Sequence, residues 1–353
     1  MCIKACLDKT IWLLITFTIF LSNKRERNNM ALTPIDVNHA LQIQAGIDGR
    51  NNGHEFEFEL AESINSIIDT VKVQQITSNI ILGEPSLALI HKALSFLGWE
   101  YCDEVSAIEL GSLATAEEGK KLLKVDGVTI KACKSDILLT LTKDGESESI
   151  GVSVKQCKNI KPTNAQLYFT TATGFYNLLV NNGILLSDNA KVALRQFCGD
   201  VGFRPMDTPE LMNTRKSHPG RFFWEEVNTA GRVELETIFH EKQDDITRLL
   251  LQKAYLNDPY IPELLIHKTK KTIGPDGEFA IYSIEELIYL SRQYSGFIKT
   301  LRTEVSKSKS YELEKGLKHE CPKFGIVQMQ RGGQKQHPTQ LQFNLQASYF
   351  YKI

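Results

Sequence analysis

The stretch KACKSDILLTLTKDGESESIGVSVKQCK, Lys131 to Lys158, decides the fold. It reads as a β-hairpin: Ile130 to Leu141 and Ile150 to Cys157 are rich in β-branched and apolar residues, and Lys143-Asp144-Gly145 between them is turn chemistry. Side chains alternate along a strand, so Ser153 and Lys155 share one face while Val152 and Val154 take the other. Asp136 belongs to the first strand of the pair.

Upstream, Asp36 to Ile47 reads as a short helix and Gly49 to Gly53 as a break. A long helix is then expected from His54 to about Val73, with Leu60, Ala61, Ile64, Ile67, Ile68 and Val71 as its apolar stripe. Pro85 to Leu97 reads as a second helix ended by Gly98. Downstream of the hairpin, a helix capped by Thr163 or Asn164 is expected to run to about Val180, its apolar face formed by Ala165, Tyr168, Phe169, Ala172, Phe175, Tyr176 and Leu179. Residues 187–270 read as helical around a loop from Leu211 to Gly220, with Glu234 to Tyr255 strongly amphipathic, and Glu285 to Thr303 reads as another helix. Strands return at Phe324 to Gln330 and Leu341 to Leu345, flanking the turn Arg331-Gly332-Gly333. This order implies an α/β (α+β) fold: a central mixed β-sheet flanked by helices, with a mainly helical insertion and a C-terminal β segment.

The chain of 353 residues is 42% hydrophobic and 24% charged, which is ordinary for a globular protein and ample for a core. Its net charge of −1 excludes a polycation, so any nucleic-acid surface has to be local. From Lys299 to His337, nine basic residues face four acidic ones, a local excess of five. Seven cysteines without a CxxC pair argue against a disulfide framework or a zinc site and for a reducing, cytoplasmic setting. The apolar run Ile11 to Leu21 is shorter than the roughly 20 residues that a membrane span needs. Residues 1–29 therefore read as a non-native or disordered extension, because Met30 opens the first interpretable element. The expected organisation is this extension, a core over 30–200, and a helical and C-terminal region over 201–353 packed on that core.

An acid on one strand and an x-x-Lys end on the next form a skeleton for metal-dependent phosphodiester hydrolysis. The carboxylate holds the ion, and the lysine steadies the attacking water or the phosphate charge. Asp136 and Lys155 fill those places, and Ser153 stands where a second acid would be useful. Mg²⁺ favours one or two carboxylates plus water and phosphate oxygens, so a further acid is sought elsewhere. Helical spacing puts Glu57 at the head of the inward stripe, while Glu55, Glu59 and Glu62 fall on the polar face. An inward acid costs desolvation unless a cation pairs with it, which makes Glu57 the second metal-site acid. At the C-terminus, FGIVQMQRGGQKQHPTQLQFNLQ couples Gln330, Arg331 and Lys335 to a Gln-rich strand. Arg can bond both O6 and N7 of guanine, and Gln does likewise with adenine.

Three segments carry a family resemblance. NNGHEFEFE (51–59), KSDILLTL with IGVSVKQ (134–156) and FGIVQMQRGG with LQFN (324–344) resemble, in order, segments of the type II restriction endonucleases of the PD-(D/E)XK superfamily, the HaeIII-like group. After Arg331 the chain continues Gly332-Gly333-Gln334, without that group's lysine and terminal acid. The resemblance implies a restriction-endonuclease-like core and Mg²⁺-dependent cleavage of both DNA strands at a short, GC-containing palindrome, leaving 5′-phosphates and 3′-hydroxyls. Asp136, Glu57, Lys155 and Ser153 would be the catalytic set, with Asp136 and Glu57 on the metal. Gln156, Gln166, Gln330, Arg331 and Lys335 would contact double-stranded DNA. A cognate DNA methyltransferase would be the functional partner, and a homodimer would match a palindrome. A catalytically inactive DNA-binding module on the same fold is the alternative, favoured by the missing acid at Ser153.

Overall fold

The computed structural model describes residues 54–110, 124–125, 128–129, 133–157, 164–213, 218–253, 258, 260–270, 277–294, 297–303, 318–331 and 339–346. They belong to one compact unit, Asp48–Ile353. The extension at 1–29, the helix at 36–47, the break at 49–53, the glycine pair after Arg331 and Lys335 lie outside the described residues.

The architecture is mixed α/β. Helix α1 spans residues 54–65, and β1 (Val71–Lys72) and β2 (Ile80–Leu82) follow. Helix α2 (Ser86–Leu97) ends on Gly98 in the left-handed conformation, as its sequence indicates. Then come β3 (Tyr101–Cys102), β4 (Glu104–Glu109), the short β5 (Lys124–Val125) and β6 (Val128–Thr129), β7 (Ile137–Lys143), β8 (Glu146–Gln156) and β9 (Ala165–Thr171). The next helices are α3 (Ala172–Asn181), α4 (Asp188–Cys198), the single turn α5 (Pro209–Met212), α6 (Thr229–Glu241) and α7 (Gln243–Gln252). Strands β10 (Pro262–Lys270) and β11 (Glu278–Ser283) precede α8 (Ile284–Gln293), and β12 (Phe297–Thr303), β13 (Lys318–Phe324), β14 (Val327–Arg331) and β15 (Gln340–Leu345) complete the order.

The central sheet has six strands in the order β2-β11-β10-β8-β7-β4. Its one parallel pair is β10 with β8, and the rest are antiparallel. Chain from beyond residue 200 thus sits in the middle of the sheet that carries the hairpin. Alternation divides β10 and β11 between two cores. Leu264, Ile266, Phe279 and Ile281 join α1, α2 and Val152 in one cluster; Leu265, Ala280 and Tyr282 join α3, α4, α6, α7 and α8 in the other. Helices therefore cover both faces, as a sheet containing a parallel pair requires. A second, five-stranded antiparallel sheet runs β12-β13-β14-β15-β9.

Several sequence expectations need correction. Helix α1 stops at residue 65, and Ile68 is 90% exposed rather than part of the stripe. The β-branched run after Ser66 prefers extended backbone, and Val71 pairs with Cys102 instead. Residues 165–171 form β9 rather than the start of a helix, because Tyr, Phe and two Thr suit a strand that β15 pairs. The helix begins at Ala172, with the Thr171 hydroxyl accepting from the Gly174 N–H at 2.9 Å. The helix expected over 234–255 is two helices that break at Lys242. Residues 262–270 are a strand buried on both faces, where the alternation signal disappears. Residues 297–303, expected to continue a helix, are β12, and α8 starts on a Ser283–Glu286 capping box.

The turn between β7 and β8 is a two-residue one with positive φ at Asp144 (52°) and Gly145 (83°), the geometry that Asp-Gly favours. Gly151 lies where three segments meet: a Cβ there would stand 2.3 Å from Ser135 Oγ and 2.4 Å from the Ile261 carbonyl oxygen. Ser135 Oγ itself donates to the Tyr260 carbonyl at 2.6 Å. Gly151→Ala should therefore destabilise the fold by about 1–3 kcal/mol through overpacking, read as a lowered urea midpoint with an unchanged slope.

Candidate metal centre

The residues singled out in the hairpin meet at the C-terminal end of β8. Asp136 lies one residue before β7, yet its N–H donates to the Val152 carbonyl at 2.9 Å and so continues the β7–β8 ladder. That register turns its carboxylate toward Ser153 to Lys155. Asp136 Oδ2 accepts from the Val154 N–H at 2.6 Å, from Lys155 Nζ at 3.1 Å and from Ser153 Oγ at 3.3 Å. Lys155 Nζ also donates to the Val154 carbonyl at 2.9 Å. An ammonium has three donors, so one remains for water or a phosphate. Ser153 is buried. Gln156, the last residue of β8, has a buried Oε1 without a hydrogen-bond partner.

Glu57 arrives from the first turns of α1, on the same helix face as Phe56, Leu60, Ala61 and Ile64, which pack into the core. It is only 8% exposed. Burial, and next the negative charge of Asp136, push its carboxyl up from 4.5 to about 7, against the opposing pull of His54 and Lys155. The head of the helix stripe thus faces the hairpin acid and lysine.

Two residues absent from the sequence reading complete the cluster. Glu109 is the last residue of β4 and pairs with Ile137, while the next N–H, of Leu110, donates to the Asp136 carbonyl at 2.8 Å. The sheet therefore sets Glu109 beside Asp136. His54, one helical turn before Glu57, has Nδ1 at 3.2 Å from Glu57 Oε2 and 3.5 Å from Glu109 Oε1. The second approach lacks hydrogen-bond geometry, and Glu109 Oε1 is buried without a hydrogen-bond partner. One ligand atom from each of His54, Glu57 and Glu109 lies within 4.8 Å of the other two. An orphaned carboxylate oxygen beside a buried acid and an imidazole is a donor set that fits a divalent cation.

Lys134 and His267 surround this cluster. Lys134 donates to the Leu167 carbonyl at 2.5 Å and lies over the Tyr168 ring at 5.7 Å. Burial, and next the charge of Lys155, push it down to about 7. His267 stands opposite Lys155 on β10, and burial with that neighbouring charge lowers it to about 3, a neutral imidazole. Reading 187–270 as helix gives no reason to place His267 beside Lys155; its place follows only from the β10–β8 pairing.

The DNA-contact candidates separate. Gln330 Nε2 donates to Gln342 Oε1 at 3.2 Å, and Gln342 Nε2 to Gln166 Oε1 at 3.1 Å, so three adjacent strands carry a row of carboxamides. Gln342 also reaches Asn344 Oδ1 at 3.1 Å. Arg331 does not share that face. It pairs with Leu341, whose side chain is in the core, and its charge is felt at the buried Cys198. Gln156 sits on the central sheet, apart from this row in the strand order. No helix among the described residues is long and apolar enough to cross a membrane. No protein-family model matches the chain, and no curated protein matches it.

Glu57 gives a signed pH dependence. Between about pH 4.5 and 7 the folded chain holds a proton on Glu57 that the unfolded chain has released, so stability falls as pH rises through that window. Above it, after allowance for solvent screening, the cost is on the order of 2 kcal/mol. Glu57→Gln should flatten this fall, measured as urea midpoints at about pH 5 and about pH 8 in the presence of a chelator.

Proposed function

We propose that this chain is a Mg²⁺-dependent, site-specific endonuclease of double-stranded DNA. The observation that carries the reading is the meeting of Asp136, Lys155 and Glu57, which come from two separate segments of the chain. Asp136 and Glu57 would hold the ion. A divalent cation there supplies positive charge to a scissile phosphate and acidifies water. Asp136 is held for this task by the Val154 N–H, and the same contact fixes its second oxygen. Lys155, anchored on Asp136 and the Val154 carbonyl, directs its remaining N–H to the attacking water or to a phosphate oxygen. Water adds to phosphorus, the P–O3′ bond breaks, and the 3′-oxygen takes a proton, leaving a 5′-phosphate. Ser153 donates to Asp136 and holds its orientation.

The resemblance of the three segments to type II restriction enzymes supports a wider role in a restriction system, in the cytoplasm, with a methyltransferase protecting the same short, GC-containing palindrome and a homodimer reading it. A second reading, a binding protein without cleavage, draws on one specific observation: buried Ser153 contributes no charge where a further acid would serve.

Asp136→Ala should abolish Mg²⁺-dependent plasmid cleavage and leave sequence-specific binding measurable. Lys155→Ala should lower the cleavage rate by at least ~100-fold with binding retained. Full-rate cutting by the Asp136 variant rules this site out, and intact plasmid with a specific gel shift from the native chain favours the binding protein.

The carboxamide row is the proposed base-reading surface, because the Gln342 oxygen, which accepts one hydrogen bond from Gln330, keeps a lone pair for a base-edge donor such as adenine N6. Gln342→Ala should remove about 1–3 kcal/mol of binding to the target duplex and change scrambled-duplex binding far less. Equal losses on both duplexes would move recognition elsewhere, with the basic segment 214–221 next in line.

A further inference from the structure

We infer that His54, Glu57 and Glu109 form a cation position of their own that takes a first-row transition ion in preference to Mg²⁺. This rests on the nuclease reading only in sharing Glu57 with it. Three features carry it. First, two of the three separations already suit an ion. His54 Nδ1 lies 3.2 Å from Glu57 Oε2 and 3.5 Å from Glu109 Oε1. Two donors on one ion with bonds of about 2.1 Å stand roughly 3–3.5 Å apart. Second, Glu109 Oε1 is buried with no hydrogen-bond partner, although an unsatisfied buried carboxylate oxygen is costly. An ion between it and His54 would satisfy that oxygen. Third, the positions come from rigid elements. Glu109 is fixed by the β4–β7 ladder, and His54 and Glu57 share one helix face.

The chemistry of the donors sets the preference. Carboxylate oxygens alone suit Mg²⁺, whereas an imidazole nitrogen adds most to the affinity of transition ions. Ser153 cannot supply an acid on β8, and Glu109 supplies one from the strand on the other side of β7. Asp136 then remains beside this position, held by Val154 and Lys155.

The test uses the full chain without DNA, with Mn²⁺ as the probe and Mg²⁺ as its competitor. Native protein should bind Mn²⁺ at one tight position, at least about tenfold tighter than Mg²⁺, with imidazole-nitrogen modulation of the bound ion in pulsed EPR. His54→Gln should remove that modulation and weaken Mn²⁺ by about tenfold or more, with little effect on Mg²⁺. Glu109→Gln should weaken both ions. Bound Mn²⁺ without nitrogen modulation in the native protein overturns the inference, whatever the variants do, and so does modulation that survives His54→Gln, which would assign the nitrogen to His267. A plasmid digest separates the two proposals. Mn²⁺ bound as described with no DNA cut leaves this position standing and removes the nuclease reading. Cleavage with Mg²⁺ but no imidazole-bound Mn²⁺ does the reverse.

Discussion

The site depends on the register of β7 against β8. The Asp136 N–H meets the Val152 carbonyl, and the Val154 N–H returns to Asp136 Oδ2. A slip of one residue would send Ser153 and Lys155 to the face now held by Val152 and Val154 and bury an ammonium among aliphatic side chains. The hydrophobic effect therefore enforces the geometry of Asp136, Ser153 and Lys155. Val152, Val154, Ile137 and Leu139 are buried together in one cluster, and their demand for that face leaves Asp136 one arrangement. The Asp-Gly turn adds to this, because a two-residue loop leaves no slack through which the register could drift. Gly151 and Ser135 then tie the hairpin to the segment before β10, which brings His267 opposite Lys155.

The same packing creates an electrostatic conflict. Glu57, Glu109 and Asp136 converge at the end of a sheet, against Lys155 and an imidazole. Desolvation outweighs the attraction at Glu57, whose carboxyl rises to about 7 even though His54 is in contact. The energetic cause is plain: burial, and next the nearby charge of Asp136, disfavour the charged form of Glu57. On the other side, Lys134 is pushed down to about 7 by burial and by Lys155. A raised Glu57 and a lowered Lys134 in one place mark groups whose burial is not offset by a partner. A structural ion pair would show the opposite shifts, as Asp207 does when Arg204 lowers it to about 2. A divalent cation would offset the charge that burial opposes at Glu57 and would satisfy the orphaned Glu109 oxygen, which is what the proposed metal site requires.

Local signals were legible in the sequence. The hairpin, its turn, helix α2 with its Gly98 cap and the inward face of Glu57 follow from alternation, turn residues and helical spacing. What was hidden has physical causes. Strand β10 is buried on both sides, so its apolar run has no period of two to mark it. Across β9 and the first residue of α3, apolar residues at 165, 168, 169 and 172 fit a helix as well as a strand, and only pairing with β15 makes 165–171 extended. Glu109 carried no local sign, because its role arises from β4 lying next to β7, a pairing across residues for which the sequence between offers no pattern. His54 was visible only as the residue before an acidic helix start.

In the C-terminal segment, neighbours in sequence separate in space. Gln330 and Arg331 are neighbours in sequence, but a strand sends them to opposite faces, one to the carboxamide row and the other toward the core near Cys198. The carboxamide row is assembled across strands, from Gln166, Gln342 and Gln330, rather than along one, and so is the base-reading surface proposed for it. Each of these side chains is already held by its neighbour, so less rotamer freedom would be lost on binding the proposed ligand. The ladder also fixes which end of each amide points outward: Gln342 donates to both Gln166 and Asn344, and its own oxygen accepts from Gln330. Gln342 thus has both amide hydrogens engaged, and its oxygen, which accepts from Gln330, keeps one lone pair. A surface ordered in this way presents a fixed sequence of donors and acceptors, and that is the property a reader of base edges requires.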